Sequence, residues 1–245
     1  MLELNDITLS YGSTPILKGV NLSVKRGDVV SIIGPSGTGK TTLLRCINYL
    51  AKPASGTIAF DQLRMDYRAA DKATIQAIRL RTAMVFQQFN VFKNMTVLQN
   101  VMDPLMVVQR KSKEEAREIA RQELDRVGLA AKLDHYPSQL SGGQLQRTGI
   151  ARALAVRPDV ILFDEPTSSL DPELVGEVLK VIKDVTSSGI TSLLVTHEMQ
   201  FAKSISNRIV FMDQGVVAAE GSPTEMFDQP SLPRLAQFLN SERVI

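Results

Sequence analysis

The sequence predicts a parallel α/β fold carrying a helical insertion at about residues 88–156. Three observations lead there. Val160-Ile161-Leu162-Phe163 is a continuous apolar run, the pattern of a strand covered on both faces, as in a parallel sheet flanked by helices. Strand-like and helix-like segments alternate along much of the chain, the order that βαβ units produce. Between Gln87 and about Arg157 the texture becomes helical.

The elements follow in order. Residues 2–33 read as short strands and turns, and Val29-Val30-Ser31-Ile32-Ile33 is a β-rich run that ends in glycine. A helix is predicted from Lys40 to about Leu50, with strands at Thr57–Phe60 and Ala83–Phe86. Within the insertion, Ala116, Ile119, Ala120, Leu124 and Val127 recur at helical spacing. Lys, Glu and Arg fill the opposite face, which reads as solvated. Leu174, Val175, Val178, Leu179 and Ile182 mark an amphipathic helix, and Ser192–Thr196 a second buried strand. Short helices are predicted from Pro223 onward. The chain shows no internal repeat, low-complexity tract or long linker.

Composition narrows the function classes. The chain has 245 residues, 44% of them apolar, enough for one large domain. With 28 basic and 26 acidic residues the net charge is only +2, without the basic excess of a polyanion-binding protein. Aromatics make up 5% and tryptophan is absent, leaving little for base-stacking platforms. Cys46 is the single cysteine. It reads as a buried structural thiol and fits a reducing compartment. The first residues carry acids and no cationic start, so no signal peptide is expected. No apolar run approaches the roughly 20 residues of a membrane span. Any membrane role must come through another chain.

Three segments carry chemistry. Gly34-Pro35-Ser36-Gly37-Thr38-Gly39-Lys40-Thr41 matches a phosphate-binding loop, with a strand before it and a helix, continuing through Thr42, after it. Glycines let the backbone turn its N–H groups inward, and the helix adds its positive end. Lys40 is placed to reach the β- and γ-phosphates, and Thr41 to ligate Mg²⁺. Asp164-Glu165 follow directly on the apolar strand, where carboxylates face a ligand at the carboxyl end of a parallel sheet. Asp164 suits a metal shell and Glu165 a water-activating base; a helix-capping role is the alternative. Leu140-Ser141-Gly142-Gly143-Gln144 precedes a helix predicted from Leu145 to about Val156. It reads as a second anion site or as a plain helix cap with a flexible turn.

The order of phosphate loop, Leu-Ser-Gly-Gly-Gln and strand-plus-Asp-Glu resembles the ATP-binding-cassette superfamily, and smaller motifs agree. Tyr11 resembles the aromatic that stacks on adenine, Gln87 the glutamine that touches Mg²⁺ and water, Ser169-Leu170-Asp171 the D-loop, and His197 the switch histidine. His135 matches no motif and reads as a surface or packing residue. The resemblance implies a P-loop NTPase (RecA-like) core with an antiparallel β subdomain. On that resemblance residues 1–245 are expected to form one domain, with 1–87 and 157–245 as catalytic core and 88–156 as helical subdomain. It further implies that two copies bind two Mg-ATP head to tail. Each ATP lies between one phosphate loop and Ser141 and Gly143 of the other copy. Two departures stand out: Leu145 and Gly149 occupy positions usually filled by Gln and Ala. The stretch Phe89–Thr96 also lacks the usual Pro-His pair.

Within the superfamily the chain most resembles the uptake ATPases for polar amino acids. The resemblance rests on Leu44-Arg45-Cys46-Ile47-Asn48, Phe86-Gln87-Gln88-Phe89-Asn90, Val195-Thr196-His197-Glu198-Met199 and Phe211-Met212-Asp213-Gln214-Gly215. Such ATPases imply transmembrane permease subunits, an extracytoplasmic solute-binding protein, and a peripheral place on the cytoplasmic face of the inner membrane. Phe89, Val91, Phe92 and Met95 are the expected part of the permease socket. The end at Ile245 is expected to leave no room for an added regulatory domain. An exporter or lipoprotein-extrusion ATPase would share every catalytic motif. A nucleic-acid cassette would need long coiled coils, zinc cysteines or a second cassette.

Overall fold

The chain opens on β1 (Leu2–Tyr11) and β2 (Thr14–Val24), paired antiparallel. In β1 the buried side chains are Leu2, Leu4, Ile7 and Leu9. The three-residue step from Leu4 to Ile7 would put them on opposite faces. A bulge at Asp6, with φ 53°, absorbs the extra residue and keeps them on one face. Next come β3 (Val29–Ile33) and α1 (Lys40–Ile47), then β4 (Ser55–Phe60), β5 (Leu63–Asp66), α2 (Lys72–Arg81) and β6 (Thr82–Val85). The insertion holds α3 (Val97–Val107), α4 (Lys113–Arg126) and α5 (Gly142–Ala155). The chain returns through β7 (Val160–Asp164), α6 (Pro172–Ser187), β8 (Thr191–Val195), α7 (Met199–Ile205), β9 (Arg208–Asp213), β10 (Val216–Gly221), α8 (Pro223–Phe227) and α9 (Pro233–Glu242). This computed structural model describes residues 1–242; the end of the predicted domain, through Ile245, lies outside the described residues.

The strands form two sheets. An antiparallel sheet has the order β2-β1-β4-β5, and a larger sheet the order β10-β9-β3-β8-β7-β6. In the larger sheet β9, β3, β8, β7 and β6 run parallel, and β10 is an antiparallel edge. Every residue of β3, β7 and β8 is buried. β7 opens on four apolar residues in a row, and β3 and β8 are apolar but for Ser31, Thr191 and Ser192, as a sheet covered on both faces requires; each fully buried Leu, Ile or Phe contributes about 1.5–3 kcal/mol.

One core lies between the two sheets and includes Val30, Ile32, Leu43, Cys46, Val160, Leu162 and Val195. A second lies on the opposite face, where Ile161, Phe163 and Leu194 meet α3, α4, α5 and α6 through Val101, Leu105, Ala120, Ile150 and Val178. The helical insertion is thus packed onto the outer face of the parallel sheet. Burial pushes the Cys46 thiol up to about 12, so it is an inert core group.

Some predicted boundaries move. The first helix stops at Ile47 because Tyr49 adopts φ 57°, and α5, the signature helix that follows Leu140-Ser141, starts at Gly142 rather than Leu145. Its two glycines therefore lie inside the first turn. Ser141 caps it in a capping box: its Oγ accepts from Gln144 N at 3.3 Å, and Gln144 Oε1 accepts from Ser141 N at 3.1 Å.

Candidate active site

Strand order builds the site. Because β3, β8, β7 and β6 are parallel neighbours, the segments after them share one edge of the sheet. The phosphate loop follows β3, His197 follows β8, Asp164-Glu165 end β7 and Gln87 follows β6. Four segments far apart in the chain thus line up along the carboxyl edge, the ligand side of such sheets.

The loop needs its glycines for a definite reason at two positions. Gly34 has φ 145°, and a Cβ there would sit 2.1 Å from Met212 O of β9. Gly39 caps α1 with φ 98°, and a Cβ there would lie 2.8 Å from Leu17 Cδ2. The loop therefore wraps against backbone that no side chain would allow. Lys40 is buried beneath it, and its Nζ donates to Gly34 O at 2.7 Å and Pro35 O at 2.9 Å. Burial lowers its pKa, and the Glu165, Glu242 and Asp164 carboxylates partly offset that.

Asp164 is buried and accepts from Thr41 Oγ1 at 2.5 Å and from Arg45 Nη2 at 3.4 Å. Burial raises its pKa against these two hydrogen bonds. Glu165 follows in a left-handed conformation, φ 46°, with its N–H donating to Val195 O of β8 at 2.9 Å. This turns its carboxylate toward the loop. His197 Nε2 lies 3.3 Å from Glu165 Oε1, and Ser168 Oγ donates to Oε2 at 3.0 Å. The hydrogen bond from His197 lowers the Glu165 pKa most, and the same bond raises that of His197.

Ile16, Ser36, Gly37, Gly39, Lys40, Thr41, Thr42 and Glu165 line one cavity of about 230 Å³. That is below the roughly 300–1,000 Å³ of a complete small-molecule pocket. Ser141, Gly142, Gly143 and Gln144 are not in its wall; nor are Tyr11, Gln87 and Asp171. Of the predicted site residues, Gly34, Pro35, Thr38, Asp164 and His197 also lie outside the wall of this phosphate cradle, although Asp164 and His197 touch Thr41 and Glu165 in it. Tyr11 ends β1 with 59% of its surface exposed. Gln87 is exposed, and Asp171 is the exposed first cap of α6, with no side-chain capping bond. A larger cleft of about 710 Å³ lies between β2 and β10, but it contains none of the predicted site residues.

The donor set suits a hard cation. Thr41 Oγ1 and Asp164 Oδ1 already touch at the foot of the cradle. Among the described residues no cluster of three metal-ligating acids, histidines or cysteines exists. A magnesium ion is commonly held by one or two carboxylates together with substrate phosphates, and the pair fits that need.

Three contributors escaped the sequence reading. Ser168 stands three residues after Glu165 and holds it. Arg45 stands one helical turn after Thr41, a spacing that puts both on one face toward Asp164. Ile16 supplies an apolar wall from β2, with no signal in its local sequence.

Residues 17–168 match the family described as ABC transporter. The chain belongs to the ABC transporter family. Among its relatives, the L-cystine import ATP-binding protein TcyN of Bacillus subtilis is 50% identical, over 98% of this chain and 92% of that one. The histidine transport ATP-binding protein HisP of Pseudomonas aeruginosa is 51% identical, over 97% of both chains. Among solved structures, the dimeric post-hydrolysis state of the ATP-binding cassette MJ0796, bound to ADP and Pi, superposes with a TM-score of 0.79. It is 38% identical and covers 91% of this chain and 99% of that one. As a member of the ABC transporter family, the chain is an ATP-binding cassette, an ATPase of the transport kind with a P-loop NTPase fold.

Proposed function

We propose that the chain is the ATP-hydrolysing subunit of a bacterial importer of polar amino acids, working as a head-to-tail pair. One observation supports the paired reading: within one chain the Ser141–Gln144 helix start is not part of the wall of the phosphate cradle. A helix N-terminus with an exposed hydroxyl is the complement such a cradle lacks, and a second copy supplies it. The names of the relatives, at about half identity over nearly the full chain, support amino-acid import.

Each residue then has a role. The backbone of Gly34–Gly39 and the Lys40 ammonium hold the β- and γ-phosphates, with Thr42 beside them, and Tyr11 stacks on adenine. Thr41, Asp164 and Gln87 would hold Mg²⁺, which when bound neutralises charge on the phosphates. Glu165, ionised at neutral pH, accepts a proton from the attacking water, and His197 and Ser168 fix its two oxygens. His197 also faces the γ-phosphate. Ser141, Gly142, Gly143 and Gln144 of the second copy close over that phosphate, and Asp171 lies at the seam.

No helix among the described residues is long and apolar enough to cross a membrane. The import and transport names of the relatives support a reading in which the energy passes to permease subunits that receive solute from an extracytoplasmic binding protein, with this chain on the cytoplasmic membrane face. No nucleic acid takes part. Phe89, Val91, Phe92 and Met95 form part of the permease socket. Asn100, fully buried, accepts from Phe92 N at 2.7 Å and donates to Phe92 O, Met95 O and Thr96 O. This clamp leaves Phe92 44% exposed.

The test has two arms. Ser36→Cys and Ser141→Cys, both exposed positions, are combined in a Cys46→Ser background. ATP should induce a crosslink between chains, and no ATP-dependent crosslink would remove the head-to-tail pair. Phe92→Asp should abolish co-purification with the permease subunits while soluble ATPase activity persists. Normal co-purification and transport would remove Phe92 from the socket.

A further inference from the structure

Gln146 lies on α5, fully buried, five residues after Ser141. Its Nε2 donates to Phe86 O at 3.0 Å, across 60 residues of sequence. Its Oε1 is buried without a hydrogen-bond partner among the described residues. Reversing the amide would set its oxygen against the Phe86 carbonyl, so the donor orientation is fixed by chemistry. A buried amide that leaves its acceptor unused is a costly choice for a core position. Its single bond goes to the residue immediately before Gln87.

That bond belongs to a set. Arg152, also on α5, donates from Nη1 to Asn90 O at 2.9 Å, and its guanidinium lies 5.8 Å from the centre of the Phe92 ring. Gly142 packs beside the Phe89 ring: a Cβ there would lie 3.4 Å from Cζ. The helix capped by Ser141 is thus fastened at Gly142, Gln146 and Arg152 to the segment carrying Gln87.

We propose that Gln146 is a positioning residue for hydrolysis, tying the Phe86-Gln87 segment to the signature helix so that Gln87 moves with Ser141. This rests on the roles given above to Gln87 and Ser141. In the head-to-tail pair Ser141 serves the partner's ATP and Gln87 the chain's own. The Gln146 bond therefore lets each ATP site register closure of the other.

The experiment is a double-mutant cycle in the full-length chain. Gln146→Met keeps side-chain length and removes the donor. Turnover should fall about three- to tenfold, the size of one neutral hydrogen bond's positioning. The KM for ATP and the melting temperature should stay near wild type, a split that a merely structural role would not give. Gln87→Ala alone should also lower turnover, and the double variant should be no slower than Gln87→Ala. Losses that multiply, or wild-type turnover in Gln146→Met, would overturn the coupling while leaving Gln87 in place. Wild-type turnover in Gln87→Ala would instead remove Gln87 from the mechanism, and the coupling with it. Should Gln146→Met not fold, Gln146→Asn, one methylene shorter and still polar, gives the same readings.

Discussion

Replacing Glu165 with Gln removes a charge and almost nothing else. Gln has the same length, and its carbonyl oxygen can still accept from Ser168 Oγ, 3.0 Å away in the wild type. What disappears is the carboxylate 3.3 Å from His197 Nε2. The two side chains are 19% and 38% exposed, so the pair is worth less than about 1 kcal/mol. For a chain of this size the melting temperature should fall by less than about 4 °C. Turnover should fall roughly 10²–10⁴-fold, the share of a general base, while ATP affinity is kept.

The charge loss has its own signature. His197 has a raised pKa through its bond to Glu165, and Glu165 a lowered one through the same bond. The His197 contribution is present below its unfolded pKa and lost as pH rises through its raised folded value. The Glu165 contribution is present above its unfolded pKa and lost as pH falls through its lowered folded value. The pair is therefore at full strength between the two unfolded values, 4.5 for Glu165 and 6.5 for His197, and fades outward through the folded ones. An NMR titration of His197 in the nucleotide-free protein should give a midpoint above 6.5. Glu165→Gln should move that midpoint downward. Near wild-type hydrolysis in the variant, or an unmoved His197 midpoint, would refute the reasoning.

Three further outcomes are expected. Lys40→Ala removes the ammonium beneath the loop and should weaken ATP binding and turnover more than tenfold, read by fluorescent-nucleotide titration and phosphate release. Gly34→Ala drives a Cβ into Met212 O and should destabilise by about 3 kcal/mol or more, measured by urea unfolding. Gly149→Ala should stabilise by about 0.5–1 kcal/mol, because the new Cβ meets only Phe89 O at an ordinary 3.5 Å; a lower melting temperature would show that the helix needs its glycine.

The parts legible in the sequence were those whose physics is local. Glycine spacing exposed the loop at Gly34–Gly39, the unbroken apolar run Val160–Phe163 exposed β7, and Leu193-Leu194-Val195 exposed β8. Helix α2 escaped because only Ile78 is buried along it, leaving no apolar stripe to read. Strands β5 and β10, which lie at sheet edges, bury few side chains and so lack a clear alternation. The partners of the acids were less visible still. Arg45 and Ser168 act through short-range geometry once the acids are placed, but Gln146 meets Phe86 only because the insertion folds back on the sheet. At Gly149, where Ala is usual, no backbone approaches closely enough to demand a missing side chain.

The position of β8 also governs how a newly made chain must behave. It lies between β3 and β7 in the sheet, yet it comes after both in the sequence. A nascent chain emerging from the ribosome therefore holds β3 without a sheet neighbour and β7 paired only to β6 until residues 191–195 arrive. Unpaired edges of that kind invite association with other chains. The gap closes in one insertion, and the same insertion delivers His197 to the acids. Catalytic competence and protection from aggregation arrive together, so premature termination before β8 leaves a chain that is both inactive and adhesive.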